Sequence, residues 1–221
     1  MAHPPLFHAY HVFADGDWAA PVTEHCDALT RFGLYDELET LMVGFVGTPE
    51  NITAVRKTLD VLVPKYEVCA EVPHGWEQET LTPLWEFTKT RDGLVSYAHT
   101  KGASRPDRIQ RPWRRSMTYY NFVQWECPVE ALQTGYLVAG CHWFYGGLEI
   151  NPVSGTGGMF GGTYWWTHCE LLRKNQAPGR ASRFEAEHWI GQITEHTPLT
   201  PDLICDMNPG KIAVRNLQEH W

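Results

Sequence analysis

Short strand-like and helix-like segments alternate through the first hundred residues, and this alternation most constrains the fold. Apolar, β-prone runs alternate with runs whose apolar residues recur at helical spacing. Each predicted helix is long enough to cross between parallel strands, so a mostly parallel sheet with helices on both faces is expected. The predicted strands are Leu6–Phe13, Thr40–Val46, Tyr66–Val72 and Leu94–His99, and the predicted helices are Trp18–Phe32, Pro49–Leu62 after a Thr48 cap, and Gln78–Lys89.

The second half of the chain has a less regular pattern. It predicts helices, one strand and two loops, in chain order: helix Arg114–Leu132, strand Tyr136–His142, glycine-rich loop Phe144–Gly162, helix Tyr164–Leu172, helix Arg183–Ile193 and loop Pro198–Gly210. We interpret residues 1–221 as one α/β domain. Its nucleotide-binding half covers about residues 1–102 and its acceptor half about residues 103–221.

Polar residues follow each predicted strand of the first half. Open α/β sheets bind ligands beyond the carboxyl ends of their strands, so these residues are candidates for a nucleotide site. They are Asp15–Asp17, Gly47–Thr48, Pro73–His74 and His99–Gly102. Asp15 and Asp17 are candidates for contacts with ribose or base. Asp17 is also expected to cap the helix that starts at Trp18.

Composition excludes several classes of protein. The net charge of −8 disfavours nonspecific nucleic-acid binding, and no apolar run reaches the length of a membrane-spanning helix. Six scattered cysteines without a CxxC motif resemble buried thiols of a cytosolic protein, and we expect a cytoplasmic location, peripheral to the membrane at most. No Walker loop, GxGxxG, HExxH or GxSxG motif is present.

The segment Tyr97–Gly102 pairs a strand end with a lysine and a turn glycine, which suits a phosphate site. Lys101 supplies a point charge, while His99, Thr100 and Gly102 add polar groups and backbone N–H. Arginines cluster just beyond it, at positions 105, 108, 111, 114 and 115. Arg114 is the arginine that we expect to contact a diphosphate, since guanidinium binds phosphate in bidentate fashion; the alternative is a solvated, salt-bridged helix start.

Tryptophans and glycines concentrate around residues 157–166. Gly161 and Gly162 permit close approach of a ligand, and Trp165 and Trp166 offer flat faces that suit sugar rings. A core position for both tryptophans fits the residues equally well. Thr163 and Trp189 complete the candidate acceptor site.

Glu187 is the candidate general base. Its neighbours Trp189 and Ile190 are apolar, and such surroundings raise the pKa of a carboxylate. An ordinary exposed helix glutamate is the alternative. His8 and His11 lie at odd spacing in a strand and so point to opposite faces. His99 and His142 each end a predicted strand, but two histidines alone are a weak zinc signature.

Several motifs in combination resemble small bacterial and phage glycosyltransferase-like proteins. Phe32–Asp36 and Leu41–Gly47 resemble the opening "sGLYD…igivG", Tyr97–Gly102 resembles "YlHtKG", and Trp113–Met117 resembles "WR..M". Three further stretches are similar to "yd.vG.nw", "fsGNfWWa" and "r..aE.Wi": Tyr136–Trp143, Phe160–Trp166 and Arg183–Ile190. The order and spacing agree from about residue 7 to residue 193.

The resemblance implies a GT-A-like fold, a nucleotide-sugar donor with UDP favoured, a glycan or protein acceptor, and a role in polysaccharide biosynthesis. Two positions depart from the pattern. Thr163 replaces an asparagine, and His99-Thr100-Lys101 stands where a metal-binding D-x-D is usual. The second departure leaves a Mn²⁺ or Mg²⁺ requirement open, because Lys101 and the arginines are alternative partners for the diphosphate.

Two other functions fit parts of the pattern. A noncatalytic carbohydrate-binding module would explain the tryptophans but not the lysine–arginine cluster. A sugar-phosphate nucleotidyltransferase shares the sheet but normally has more glycine after its first strand than Asp15-Gly16-Asp17 provides. Glycosidase chemistry needs two facing carboxylates, and Glu185 and Glu187 diverge on a helix.

Overall fold

A computed structural model describes residues 3–105, 108–144, 158–195 and 199–208. Residues 145–157 of the predicted glycine-rich loop, and the chain beyond residue 208, lie outside the described residues. The strands are β1 Leu6–Phe13, β2 Leu38–Val46, β3 Glu67–Val72, β4 Leu94–His99, β5 Val138–Gly140, β6 Trp143–Phe144, β7 Met159–Phe160, β8 Trp165–His168 and β9 Ile204–Asp206. The helices are α1 Ala19–Arg31, α2 Leu34–Glu37, α3 Pro49–Leu62, α4 Gln78–Thr88, α5 Gln110–Thr118, α6 Glu126–Gln133, α7 Cys169–Lys174 and α8 Phe184–His188.

Seven strands form one mixed sheet in the order β3-β2-β1-β4-β8-β5-β9. All of them are parallel except β8, which runs antiparallel to both β4 and β5. The alternation predicted for the first half is therefore confirmed, with β1 and β4 at their predicted bounds. The fold is α/β, as expected.

Two segments of the second half differ from the predictions. The predicted helix Tyr164–Leu172 begins instead as strand β8 and becomes helical only at Cys169. The predicted loop Pro198–Gly210 contains strand β9, which pairs with β5. The predicted long helix Arg114–Leu132 is α5, a π-helical turn over Tyr119–Val123 and α6.

Helices cover both faces of the sheet, and each face has its own apolar core. One core joins β1 side chains such as Tyr10 to α1, α3 and α6, and the other joins β1 side chains such as Phe7 to α4, α7 and α8. Trp166 belongs to the first core and Trp165 to the second, as expected for neighbours in a strand. Cys26, Cys141 and Cys169 are buried thiols as predicted, whereas Cys127 is exposed.

Buried histidines lie on both faces of β1, which confirms that His8 and His11 point in opposite directions. His8 Nδ1 is 2.8 Å from Ser96 Oγ, and His8 Nε2 is 2.8 Å from His25 Nε2. His11 Nδ1 is 2.8 Å from Thr80 Oγ1 on the other face. Burial lowers the pKa of His8 to about 3 and that of His11 to about 4, and it lowers the pKa of His25 well below its ordinary value.

These three histidines predict acid sensitivity. Each ring stays neutral in the folded state but takes up a proton in the unfolded chain below about pH 6.5, so stability is complete above that pH and falls as the pH drops. At pH 5.5 the three rings together are expected to remove about 4 kcal/mol from the free energy of unfolding relative to pH 7.5. Urea unfolding at both pH values measures this loss.

The double variant His8→Phe/His25→Phe is the control for that prediction. It lacks two of the three titrating rings, so its pH-dependent loss of stability should be smaller by about two thirds. Equal losses in wild type and variant would contradict the assignment to these rings.

Candidate functional site

The turns that follow β1 and β4 are tied together at the carboxyl edge of the sheet. Phe13 N donates to Thr100 Oγ1 at 2.9 Å, and Asp17 N donates to the Ala103 carbonyl at 2.9 Å. A Cβ on Gly16 would lie 2.2 Å from the Ala103 carbonyl oxygen, so only glycine permits this approach. Thr100 is buried, and its hydroxyl accepts the hydrogen bond that holds the two turns together. Its role at the site is therefore structural.

A cleft of about 580 Å³ opens beside these turns, beyond the ends of β1, β2 and β3. The indole of Trp76, half exposed, and the side chain of Gln78 lie on its α4 side. Gln78 is buried and donates through Nε2 to the Ser182 carbonyl at 2.7 Å. Its Oε1 has no hydrogen-bond partner among the described residues, so the wall carries an unused acceptor. Arg180 completes the wall and pairs with Glu79 at 2.9 Å.

Asp15 lines the cleft, whereas Asp17 does not. Asp15 Oδ1 accepts hydrogen bonds from Asn51 Nδ2 at 2.9 Å and Thr48 N at 2.7 Å, which ties the turn after β1 to the start of α3 and lowers the pKa of Asp15. The cap expected from Asp17 is absent, because α1 begins after Trp18 without a side-chain cap bond. Asp15, and not Asp17, is therefore the aspartate that contacts the start of a helix, which is α3.

Glu77 forms a charged cluster with the end of β4. His99 Nδ1 is 2.9 Å from Glu77 Oε1, and the Tyr97 hydroxyl donates to Glu77 Oε2 at 3.0 Å. Burial alone would raise the pKa of Glu77, but the charge and hydrogen bond of His99, with His11 and Tyr97, lower it to about 2. Burial and the Glu77 charge raise the pKa of the Tyr97 hydroxyl well above its ordinary value.

Glu187 lies on α8, within electrostatic range of this cluster. Its side chain is half buried, and burial followed by repulsion from Glu77 raises its pKa, with Lys101 and His99 acting in the opposite direction. Glu185 has another role, since its Oε2 accepts hydrogen bonds from the backbone of Ala181 and Ser182. The two glutamates therefore do not form a pair, as the sequence indicated.

Lys101 and Arg114 have different surroundings. Lys101 Nζ lies 4.0 Å from the centre of the Trp113 ring, a cation–π contact. Arg114 is buried, bonds Glu24 Oε2 at 2.9 Å and donates from Nη1 to the Lys101 carbonyl at 2.9 Å. The diphosphate contact expected of Arg114 is not supported by this placement, because its guanidinium holds the turn of Lys101 instead. Gly102, with φ +87°, packs against Gln110 in the same turn.

The glycine turn before β8 lies at the same edge of the sheet. Gly161 N donates to the His142 carbonyl at 2.8 Å, and Gly162 has φ +88° and packs against Met117. Thr163 and His142 both have φ of +64°, a left-handed conformation that is strained for a β-branched threonine. Two strained residues therefore meet beside the end of β4.

The tryptophans of the candidate acceptor site require a correction. Trp165, Trp166 and Trp189 are fully buried. Trp165 stacks on Tyr97 with ring centroids 5.4 Å apart, Trp166 Nε1 donates to the Asn121 carbonyl, and Trp189 Nε1 donates to the Gln176 carbonyl. Rings with no exposed face cannot stack on a sugar, so the core alternative is right for these three.

A divalent cation does not fit the end of β4. Mg²⁺ and Mn²⁺ prefer oxygen ligands, whereas this position presents an imidazole, an engaged hydroxyl and the Lys101 ammonium. Over the described ranges, no three His, Cys, Asp or Glu side chains group closely enough to bind a metal. The side chains around His99-Thr100-Lys101 therefore suit an anion better than the divalent cation that a D-x-D would bind.

Comparison with known proteins identifies a family. Residues 12–134, more than half of the chain, match the family described as "Domain of unknown function (DUF8361)". The chain belongs to this family. A search of curated proteins finds no match. Among the helices that the structure describes in this DUF8361 protein, none combines the length and apolarity needed to cross a membrane.

Solved structures show the fold. This DUF8361 protein is similar to glucosyl-3-phosphoglycerate synthase from Mycobacterium tuberculosis, whose crystal structure contains Mn²⁺, UDP and phosphoglyceric acid. The two structures superpose with a TM-score of 0.54 and 18% sequence identity, and the match covers 94% of this chain and 69% of that chain. A weaker likeness is a 4-diphosphocytidyl-2C-methyl-D-erythritol synthase from Anaerococcus prevotii, with a TM-score of 0.46, 7% identity, and coverage of 93% of this chain and 90% of that chain. Another is mouse xyloside xylosyltransferase 1, with a TM-score of 0.37, 12% identity, and coverage of 92% of this chain and 85% of that chain. The likeness to the first of these structures shows the GT-A-like α/β fold that the sequence predicted.

Sequence reasoning missed Trp76, Glu77, Gln78 and Arg180. Sequence position could have indicated the first three, because they come shortly after Pro73–His74 at the end of the third strand. Arg180 has no comparable signal, since only the tertiary fold brings it to the cleft.

The strain at Thr163 yields a stability prediction. Asparagine adopts left-handed φ far more readily than threonine, so Thr163→Asn should raise the free energy of unfolding by roughly 0.5–1 kcal/mol. Thr167→Asn is the matched control. Thr167 lies in β8 and bonds the Leu137 carbonyl, so its replacement should destabilise the protein. Urea unfolding measures both, and a destabilised Thr163→Asn would contradict the strain.

Proposed function

We propose that this protein is a glycosyltransferase that moves a sugar from a nucleotide-sugar donor to a hydroxyl of a glycan or protein. One observation carries the proposal: the carboxyl edge of the parallel strands holds a cleft of nucleoside size together with a half-buried glutamate of raised pKa. Such an edge is where open α/β sheets bind nucleotides. The GT-A-like fold agrees with this function without specifying a substrate.

The nucleoside occupies the cleft in this proposal. The exposed face of Trp76 stacks on the base. Gln78 Oε1, a covered acceptor, accepts a hydrogen bond from a base N–H once the side chains over it move aside. Asp15 keeps one carboxylate oxygen for a ribose hydroxyl, since the hydrogen bonds to Thr48 and Asn51 both use Oδ1. UDP is the donor nucleotide that the sequence resemblance favours.

Transfer in this site needs a cation for the diphosphate and a base for the acceptor. The bond between the sugar C1 and the diphosphate oxygen breaks, and its electron pair leaves with the diphosphate toward Lys101. The acceptor oxygen forms the new bond to C1 and gives its proton to Glu187. Arg114 positions Lys101 through the bond to its carbonyl. A half-buried carboxylate of raised pKa is a stronger proton acceptor than an exposed one.

Substitution of the proposed base tests the mechanism. Glu187→Gln should lower kcat by about 10²- to 10⁴-fold and leave nucleotide affinity unchanged, because the amide cannot accept the proton. Glu185→Gln on the same helix is the matched control and should retain activity, since an amide oxygen still accepts the Ala181 and Ser182 bonds. Full activity in a folded Glu187→Gln would remove Glu187 from this role.

Wild-type activity should also depend on pH through Glu187. A base works in its ionised form, so kcat is expected to rise as the pH rises through the raised pKa of this carboxyl and then to level off. The midpoint should lie above the ordinary range of a glutamate. A midpoint at or below that range would argue against Glu187 as the base.

Nucleotide binding tests the cleft. Calorimetry with UDP, GDP, CDP and dTDP should show binding of one of them, accompanied by quenching of tryptophan fluorescence. Trp76→Ala should weaken that binding about tenfold, as loss of one base–aromatic stack does. Tyr136→Ala removes an exposed aromatic residue at the opposite edge of the sheet and should have no effect. If well-folded protein binds none of the four, the carbohydrate-binding alternative is favoured.

A further inference from the structure

The pair formed by Glu77 and His99 is the most highly organised charged feature of the site. Both side chains are only 15% exposed, and their contact of 2.9 Å joins the residue that precedes α4 to the last residue of β4. The second carboxylate oxygen of Glu77 is held by Tyr97, which is itself stacked on Trp165. Glu77 therefore has a fixed position and orientation.

The pair determines which nitrogen of His99 bears a proton. An ionised carboxylate only accepts hydrogen bonds, so the His99 Nδ1 facing Glu77 must be the donor. Nε2 is then an acceptor when the ring is neutral and a second donor when the ring is protonated.

His99 Nε2 has no hydrogen-bond partner within residues 3–105, 108–144, 158–195 and 199–208, although it is buried. A buried unpaired nitrogen costs free energy, and native proteins keep such groups where a ligand, ion or water completes them. Because the nitrogen is covered, an incoming ligand atom must displace a neighbouring side chain to reach it.

The charges around His99 indicate what kind of ligand atom would complete it. Lys101 follows two residues later in the same turn, and Lys101 and His99 both lower the pKa of Glu187. Two acidic groups therefore face two basic groups, and a bound anion would meet Lys101 and a protonated His99 together. The titratable groups that face His99 from the surrounding elements are Glu77, Tyr97, His11, Tyr164, Lys101 and Glu187.

We propose that Glu77 is a positioning residue that holds His99 through Nδ1, with Nε2 of the protonated ring donating a hydrogen bond to a phosphoryl oxygen of the donor's diphosphate. His99 and Lys101 then meet the charge that develops on the leaving diphosphate, in place of a divalent cation. The inference rests on the proposed function and assigns to it a metal-independent way of stabilising the leaving group. It also accounts for the imidazole and ammonium where a metal site would require oxygen ligands.

Binding of diphosphates without metal tests the inference. Wild type, Glu77→Gln and His99→Gln are titrated with UDP, GDP, CDP and dTDP in EDTA from pH 6.0 to 8.5. At pH 6.0, wild type should bind one of them about tenfold more tightly than His99→Gln, as expected for loss of a charge-assisted hydrogen bond. A neutral imidazole donates from only one nitrogen, which Glu77 already uses, so this ratio should fall toward one as the pH rises. Titration of the nucleotide itself cancels in the ratio.

Glu77→Gln distinguishes positioning from packing. Without the carboxylate charge, the pH at which affinity declines should move lower, whereas a merely structural loss would weaken binding equally at every pH. Glu77→Asp keeps the charge but moves the carboxylate oxygen away from His99. The pH at which affinity declines should therefore move lower by a smaller amount than in Glu77→Gln. Glu86→Gln, on the exposed surface of α4, is the matched control and should match wild type. Thermal melting establishes that each variant is folded.

The possible outcomes separate this inference from the proposed function. Binding that appears only when Mn²⁺ is added overturns the metal-independent role and leaves the glycosyltransferase proposal standing. This inference is also overturned if the affinity ratio of wild type to His99→Gln stays constant with pH, or if the pH profile of affinity in Glu77→Gln is identical to that of wild type. Either result leaves the proposed function standing. Binding of no diphosphate, with or without Mn²⁺, overturns both.

Discussion

The stack of Trp165 on Tyr97 is the contact on which the candidate site depends. It joins the reversed strand β8 to its neighbour β4, and the Tyr97 hydroxyl then donates a hydrogen bond to Glu77. Glu77 in turn holds His99. A fully buried aromatic pair thus fixes a charged pair at the edge of the sheet, which illustrates how rigid packing orients functional groups.

The same strand brings the strained turn to the site. Because β8 runs antiparallel between β4 and β5, the residues that enter β8 lie beside the residues that leave its two neighbours. Tyr164 is one of them, and its hydroxyl donates to the His99 carbonyl at 2.7 Å. Strain at Thr163 and His142 is maintained by this surrounding structure, as is usual where backbone is held away from its preferred conformations.

The sequence predicted the first half well and the second half poorly, for physical reasons. The first half alternates apolar, β-prone strands of six residues or more with helices of amphipathic pattern, so each segment carries its own signal. Strand β8 is buried on both faces, and a short apolar run of that kind cannot be told from a buried helix by its periodicity. The prediction that Trp165 and Trp166 bind a sugar failed for a related reason. The sequence does not show whether an aromatic side chain faces the core or a ligand.

The site was predictable only where it follows a strand. Asp15 and His99–Lys101 are predicted as site residues in that way, and Glu187 is predicted from its apolar neighbours; their roles stay predictions. Arg114 carries the right charge but is used internally by Glu24, a pairing that sequence does not reveal. Glu77 and Gln78 acquire their roles from contacts with residues far along the chain, which no local pattern records.

The segment that leads into α8 carries a consequence for variation in this family. Arg180 and Ser182 close the cleft through Glu79 and Gln78, and the backbone then continues directly into the helix that bears Glu187. The wall of the cleft and the proposed proton acceptor therefore lie on one short stretch of chain. Homologues that gain or lose a residue there would be expected to change ligand preference and turnover together, whereas changes elsewhere in the cleft would alter preference alone.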